Sequence, residues 1–318
     1  MEDVYHRPRM PHHHYTTTPP TTTTTTTTTT PTTMAHFNAL RSHYNTAWKR
    51  FISSSNNFEI LSSVPAHRPQ SPSVLYVLDS SFNPPTLAHL QIAASALQEK
   101  PGLPARLLLL LATQNADKPA KPASFEDRLV MMELFAHDLL SHLTQQQQQQ
   151  QQQQPPQIDI GVTRKPYFVD KAAEIESAGV YPPSLEQVHL TGYDTLIRIF
   201  NPKYYPPEHT LQPLAPFLSQ HRLRVTMRPS DEWGGQDEQR RFLLDLAQGG
   251  RAEEGGRPEW AQRIQLVEGS RPEDTPVSST RAREAIEQDP GRLEELVPLN
   301  VREFLLKDRP FSENRSEL

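Results

Sequence analysis

Val74–Leu97 reads VLYVLDSSFNPPTLAHLQIAASAL, and its texture changes twice. Val74–Leu78 is a short, nearly continuous apolar run, the pattern of a strand covered on both faces. Ser80–Thr86 interrupts it with Ser, Asn and a Pro84-Pro85 pair whose missing N–H groups and fixed φ stiffen a turn. Apolar residues then recur at helical spacing from His89 to Gln98. A strand, a tight turn and a helix together predict the first unit of an α/β sheet.

The rest of the chain repeats that alternation. Leu107–Ala112, Val188–Thr191, Leu223–Met227 and Ile264–Val267 are expected strands, and residues 125–143, 169–176, 236–247 and 280–287 the helices between and after them. Runs that do not alternate in polarity indicate a parallel sheet with crossover helices on both faces. The expected fold is therefore α/β, a doubly wound parallel sheet over residues 73–315. In such sheets ligands lie beyond the carboxyl ends of the strands, so the turn at 80–89 is the expected phosphate site. It has neither Gly-x-Gly-x-x-Gly nor Gly-Lys-Ser/Thr, which disfavours a dinucleotide-binding turn and a P-loop. What it offers is the backbone N–H groups of Ser81 and Phe82, with Thr86 and His89 three residues apart at a helix start. Those groups, beside the positive end of a helix dipole, would suit a triphosphate.

Several segments cannot contribute to a core. Residues 1–33 are a Thr/Pro tract preceded by His12–His14 and read as disordered; Gln145–Gln154 is an unbroken glutamine run, read with its flanks as a loop insertion over 144–157. Residues 34–72 are expected to form a helix and a Ser/Pro-rich linker. Phe37, Leu40, Tyr44, Trp48 and Phe51 share one helical face. That face either docks on the main domain or binds a partner protein, a role open also to the low-complexity tracts.

The 318 residues include no cysteine, which excludes disulfides, thiolate zinc sites and thiol nucleophiles and fits a reducing compartment. No apolar run is long enough for a membrane span and the first residues lack a signal-peptide core, so a cytoplasmic or nuclear home is expected. A formal net charge of −5 argues against non-specific nucleic-acid binding.

The string SFNPPTLAH, Ser81–His89, resembles the signature of the HxGH nucleotidyltransferases, and specifically of the nicotinamide-nucleotide adenylyltransferases, in a divergent fungal form. The eukaryotic branch of that family reads Gly-Ser-Phe-Asn-Pro-x-Thr-x-x-His. Here Ser80 stands for the glycine and Ala88 for the residue before the second histidine. PVSSTRAREAI, Pro276–Ile286, is similar to the family's ISSTxxR segment. There Ser278, Ser279 and Thr280 can turn hydroxyl and N–H groups to phosphate, and Arg283 can fork onto its oxygens; alone, the string could be an ordinary helix cap. LTGYDTL, Leu190–Leu196, resembles a Gly-x-Asp at a strand end: Gly192 would admit a ligand closely, and Asp194 would meet a ribose or the water shell of Mg²⁺. Lys118 and Lys121 match a lysine-rich loop, Arg128 an arginine in the next helix, Arg228 one after the fourth strand, and residues 294–305 the closing helix.

The resemblance implies a Rossmann-like nucleotidyltransferase fold and adenylyl transfer from ATP to nicotinamide or nicotinate mononucleotide, giving dinucleotide and pyrophosphate. Mg²⁺ would accompany ATP, with no dedicated protein metal site. His89, Thr86, Lys118 and Arg283 are the implied catalytic groups, with His89 donating to the phosphates; Ser80, Ser81, Phe82, His89, Gly192, Asp194, Ser278, Ser279, Thr280 and Arg283 bind ATP. The pyridine wall falls among Tyr167, Phe168, Tyr204 and Tyr205, with Arg228 beside it and Asp170 close in sequence. Two alternatives keep the same fold: a sister HxGH transferase using another phosphate monoester, and an ATP-binding or ATP-hydrolysing regulatory protein.

Overall fold

Leu107–Leu111 are consecutive leucines, and all are fully buried. Leu107, Leu109 and Leu111 enter one core, whereas Leu108 and Leu110 enter another on the opposite face. A strand whose alternate side chains both meet apolar layers must be central in a three-layer α/β sheet.

The computed structural model describes residues 34–66, 71–100, 102–114, 123–147, 156–228, 233–269 and 276–312. The expected disorder of residues 1–33 and the positions of Lys118 and Lys121 lie outside them. The strands are β1 (Phe58–Val64), β2 (Val74–Asp79), β3 (Ala105–Ala112), β4 (Gln157–Thr163), β5 (Gln187–Gly192), β6 (Arg222–Thr226) and β7 (Ile264–Val267). The α-helices are α1 (Met34–Ser53), α2 (Leu87–Gln98), α3 (Phe125–Gln147), α4 (Phe168–Ser177), α5 (Tyr193–Ile199), α6 (Ala215–Gln220), α7 (Gln236–Ala247), α8 (Ser279–Gln288) and α9 (Leu299–Asp308). The sheet order is β1-β4-β3-β2-β5-β6-β7, parallel throughout except for β1, which pairs antiparallel with β4.

The expected doubly wound α/β sheet is observed. One face carries a core built with α1, α2, α3, α8 and α9, and the other carries α4, α5, α6 and α7. α8 follows β7 in the chain and packs on the first face through Ala282 and Ala285.

Two strands escaped the sequence reading. β1 lies within the segment expected as linker, and its buried residues Phe58, Leu61 and Val64 are three apart because the register shifts between Ile60 and Ser62. That bulge erases the period of two that marks a strand. β4 carries Asp159 at its middle, wholly buried and held by Ser63 at 2.6 Å, Tyr181 at 2.8 Å and Arg106 at 3.0 Å. A satisfied buried charge breaks the apolar pattern without breaking the strand. The glutamine insertion is also shorter than expected, because α3 continues through Gln147 and β4 begins at Gln157.

α1 spends its apolar face on the domain. Phe37, Tyr44 and Phe51 are buried, and Trp48 stacks on Phe125 at the start of α3 with ring centroids 3.8 Å apart. Its polar edge is fixed as well. Arg41 bridges Asp127 of α3 and Asp308 of α9, and the Tyr44 hydroxyl meets Glu133 and, at 2.7 Å, Ser62. The face that the partner-binding alternative needs is thus covered. Among the described residues, no helix is long and apolar enough to cross a membrane.

Candidate active site

β2 and β5 stay in register only from Leu75↔Gln187 to Val77↔His189. Beyond that, β2 continues with β3 to Asp79↔Leu110, while β5 continues with β6 to Gly192↔Thr226. Strand order reverses between these neighbours, so a crevice opens above them at the carboxyl edge of the sheet.

The loop following β2 forms one lip. The Ser80 N–H still bonds to Leu110 O at 3.3 Å, extending the strand by a residue. Successive side chains therefore point to opposite faces. Asp79 meets Lys171 of α4 at 2.5 Å, and Ser80 Oγ lies 2.9 Å from His89 Nε2 of α2. Phe82 follows with φ of 46°, a left-handed conformation that a non-glycine residue adopts at a cost. Its ring is fully buried beside His89 and Phe135, which holds the strained backbone in place. Ser80 is not among the residues with positive φ, so replacing the family's glycine there imposes no backbone strain.

His89 sits at the third position of α2, with Thr86 as N-cap. Its Nδ1 accepts the Thr86 N–H at 3.1 Å and lies 2.8 Å from Thr86 Oγ1. A backbone N–H can only donate, so Nδ1 is unprotonated and Nε2 carries the proton of the neutral ring. Burial, and then the positive charge of Arg228, pull the pKa of His89 from 6.5 to about 4. His89 is therefore a neutral donor through Nε2 at physiological pH.

The lip is held from elsewhere. Arg128 Nε donates to Ser81 O at 2.8 Å, and the Asn83 side chain accepts Ala123 N at 3.1 Å. Arg283 Nη1 donates to Asn83 O at 2.6 Å, Ser279 Oγ donates to Pro84 O at 2.8 Å, and Leu87 N donates to Leu296 O at 2.9 Å. The two sequence motifs are thus one structural unit. Ser278 caps α8 by accepting Arg281 N at 3.3 Å, and Thr280 Oγ1 accepts from Arg283 Nη2 at 3.1 Å. The roles of Asn83, Ala123 and Leu296 had no signal in the sequence, because each depends on where a distant carbonyl or amide lies.

Gly192 and Asp194 form the opposite lip. Gly192 is the N-cap of α5, and a Cβ there would stand 2.6 Å from Asp194 Oδ1. The bare backbone makes room for the Asp194 side chain. Arg228, exposed just beyond β6, has its backbone clamped by Gln239, which accepts its N–H at 3.1 Å and donates to its carbonyl at 2.8 Å. Among the described residues the side chains of Arg128, Arg228 and Arg283 have no carboxylate partner, and the buried Arg128 Nη2 has no hydrogen-bond partner at all. This surface favours an anion.

The expected pyridine wall divides. Tyr205 is buried at 5% exposure with its hydroxyl on Ile199 O at 2.6 Å, so it belongs to the core. Phe168 packs edge-on against His189 and Phe217, both 4.8 Å away. Tyr167 is exposed at the N-cap of α4, and Tyr204 is half-buried with Lys203 Nζ over its ring, 4.7 Å from the centroid. Among the described residues no cluster of three or more His, Asp or Glu side chains could hold a metal ion.

No family model matches the chain. Two solved Plasmodium falciparum structures are similar in outline, nicotinic acid mononucleotide adenylyltransferase complexed with NaAD and the same protein complexed with APC. The first has a TM-score of 0.42 and 14% identity over 73% of this chain and 94% of that one. The second has a TM-score of 0.43 and 13% identity over 74% and 96%. A Schizosaccharomyces pombe protein named "Putative nicotinamide mononucleotide adenylyltransferase" is 33% identical over 238 residues, which are 74% of this chain and 86% of that protein. By that relationship the chain belongs to the nicotinamide mononucleotide adenylyltransferase family.

Proposed function

We propose that this protein joins the 5′-phosphate of nicotinamide mononucleotide, or of its nicotinate counterpart, to the α-phosphorus of ATP. A phosphate oxygen of the mononucleotide forms the new P–O bond, the bond from Pα to the bridging β-oxygen breaks, and pyrophosphate leaves. No protein nucleophile is needed, since the reaction is accelerated by in-line placement and neutralisation of charge.

The observation that carries this reading, beside family membership, is the fusion of the two motifs at the β2/β5 crevice. Arg283 and Ser279 reach the carbonyls of Asn83 and Pro84, bringing a guanidinium beside the lip where the Thr86, His89 and Ser80 chain ends. The N–H groups of Ser81 and Phe82 find no acceptor among the described residues, as suits donors meant for a phosphate. Lys118 and Lys121, which precede α3 in the sequence, are proposed further phosphate contacts. Ser278, Thr280 and Arg283 would meet ATP from α8, Asp194 the ribose, and Tyr167, Phe168 or Tyr204 the pyridine, with Arg228 at its phosphate side.

Mg²⁺ fits as a companion of the triphosphate. Mg²⁺ keeps most of its water and often takes one or two carboxylates plus substrate phosphates, and Asp194 supplies a carboxylate at the lip. Bound there, the metal would neutralise phosphate charge. A cytoplasmic or nuclear home accords with the absence of cysteine.

Purified protein incubated with ATP, Mg²⁺ and either mononucleotide should release pyrophosphate and form dinucleotide in equal amounts. ATP consumption without dinucleotide would replace this reading with the ATP-hydrolysing alternative.

A further inference from the structure

Ser80 is the position where this chain leaves the family pattern, and its surroundings give the substitution a direction. Its N–H is already committed to Leu110 O, so a glycine there would have no donor left for a ligand. The side chain adds one. Thr86 N–H donates to His89 Nδ1, which fixes the proton on Nε2, and Nε2–H points at Ser80 Oγ at 2.9 Å. The serine oxygen is thereby an acceptor from the ring, and its own proton must go elsewhere. Ser80 Oγ has no second partner among the described residues, and the residue is half-buried at the mouth of the crevice. Each bond polarises the next in the same sense, from Thr86 through the imidazole to the free O–H.

We infer that, within the Thr86–His89–Ser80 hydrogen-bond series, Ser80 Oγ–H and not the imidazole touches the phosphate, and that His89 acts through it as a positioning residue. The inference rests on the adenylyl-transfer reading and deepens it, since the resemblance alone implies direct donation by the imidazole. Direct donation would require Nε2–H to abandon the serine. In the serine-mediated arrangement the ring stays where it is and stays neutral, and Ser80 presents a hydroxyl one hydrogen-bond length further into the crevice.

Steady-state assays of Ser80→Ala, Ser80→Gly, Ser80→Thr, His89→Ala and the Ser80→Ala/His89→Ala double variant separate the two arrangements. The wild-type protein serves as the control for the adenylyl-transfer reading. Ser80→Ala and Ser80→Gly are expected to lose about 10²–10³ in kcat, the scale for removal of one donor to developing phosphate charge. Ser80→Thr should keep most of the rate. The double variant should be no slower than the worse single variant, because the residues act as one unit. In ¹H–¹⁵N spectra of the imidazole, the wild-type Nε2–H should keep its position when Mg²⁺-ATP is added. Wild-type or higher turnover in Ser80→Gly, or a large Nε2–H shift on adding nucleotide, would overturn the inference while leaving adenylyl transfer intact. If the wild-type protein forms no dinucleotide, the adenylyl-transfer reading fails instead.

Discussion

Arg128→Met should separate stability from ligand binding. The Arg128 residue is 6% exposed and has no carboxylate partner among the described residues; its Nε–H bonds to Ser81 O at 2.8 Å, and its guanidinium lies 5.6 Å from the centroid of the Phe125 ring. Burial pulls its pKa from 12.5 to about 10. At about 1.4 kcal/mol per factor of ten, that displacement represents roughly 3 kcal/mol by which the interior disfavours the charge. The bond to Ser81 O offsets about 1.5–3 kcal/mol and the ring contact up to about 1 kcal/mol. Methionine restores the volume and removes both sides of the balance. Urea unfolding of the ligand-free variant is therefore expected to give a stability within about 1 kcal/mol of wild type. The added stability conferred by Mg²⁺-ATP should instead shrink by about 1.5–3 kcal/mol, the range for a hydrogen bond to a charged group. Truncating one member of a compensated buried pair costs about 3–5 kcal/mol. A loss of that size without ligand, or unchanged stabilisation by nucleotide, would refute the reasoning.

The other predictions concern the lips of the crevice and four histidines whose pKa values lie below the usual one. Gly192→Ala sets a Cβ 2.6 Å from Asp194 Oδ1; since Gly192 has an ordinary φ of −84°, the Asp194 carboxylate should swing away, raising KM for ATP severalfold with less than about 1 kcal/mol lost in unfolding. Arg283→Lys keeps the charge but loses the fork that spans Asn83 O and Thr280 Oγ1; stability should fall by about 1–2 kcal/mol and kcat/KM by more than tenfold, and an unaltered kcat/KM would remove Arg283 from the site. Acidification from pH 7 to 5 should lower the urea midpoint. Burial holds the pKa values of His89, His137, His189 and His221 below the usual 6.5, so the unfolded chain gains protons that the folded chain refuses. Asp138, raised by burial to about 6, acts in the opposite sense and offsets only part of the loss; a midpoint that rises on acidification would contradict the assignment.

The sheet could be read because most of its strands are buried on both faces and so appear as uninterrupted apolar runs. β1 and β4 could not, for opposite reasons: one is bulged at the sheet edge, and the other pairs a core charge with Arg106, Ser63 and Tyr181. The site was legible as residue types and only partly as roles. Thr86 and His89 at a helix start predicted a polar pair; which ring nitrogen bears the proton follows only from the position of the Thr86 N–H. Tyr205 and Tyr204 are neighbours of identical chemistry, and nothing local shows that one hydroxyl finds Ile199 O in the core while the other ring stays at the surface.

The loop itself explains why two motifs so far apart in sequence are needed together. Pro84 and Pro85 fix the chain but supply no N–H, so the loop cannot close with its own hydrogen bonds at those positions, and its carbonyls need donors from elsewhere. Ser279 and Arg283 provide them from 195 and 200 residues away. A backbone held in that way can keep Phe82 at a left-handed φ and keep Ser81 and Phe82 N–H groups without an acceptor among the described residues. Those donors are an unfavourable arrangement for a loop and a favourable one for a phosphate. The C-terminal motif is thus a strut before it is a ligand contact. Arg283 carries both duties because a guanidinium has several donors, and its Nη1 bond to Asn83 O leaves other N–H groups to turn toward an anion.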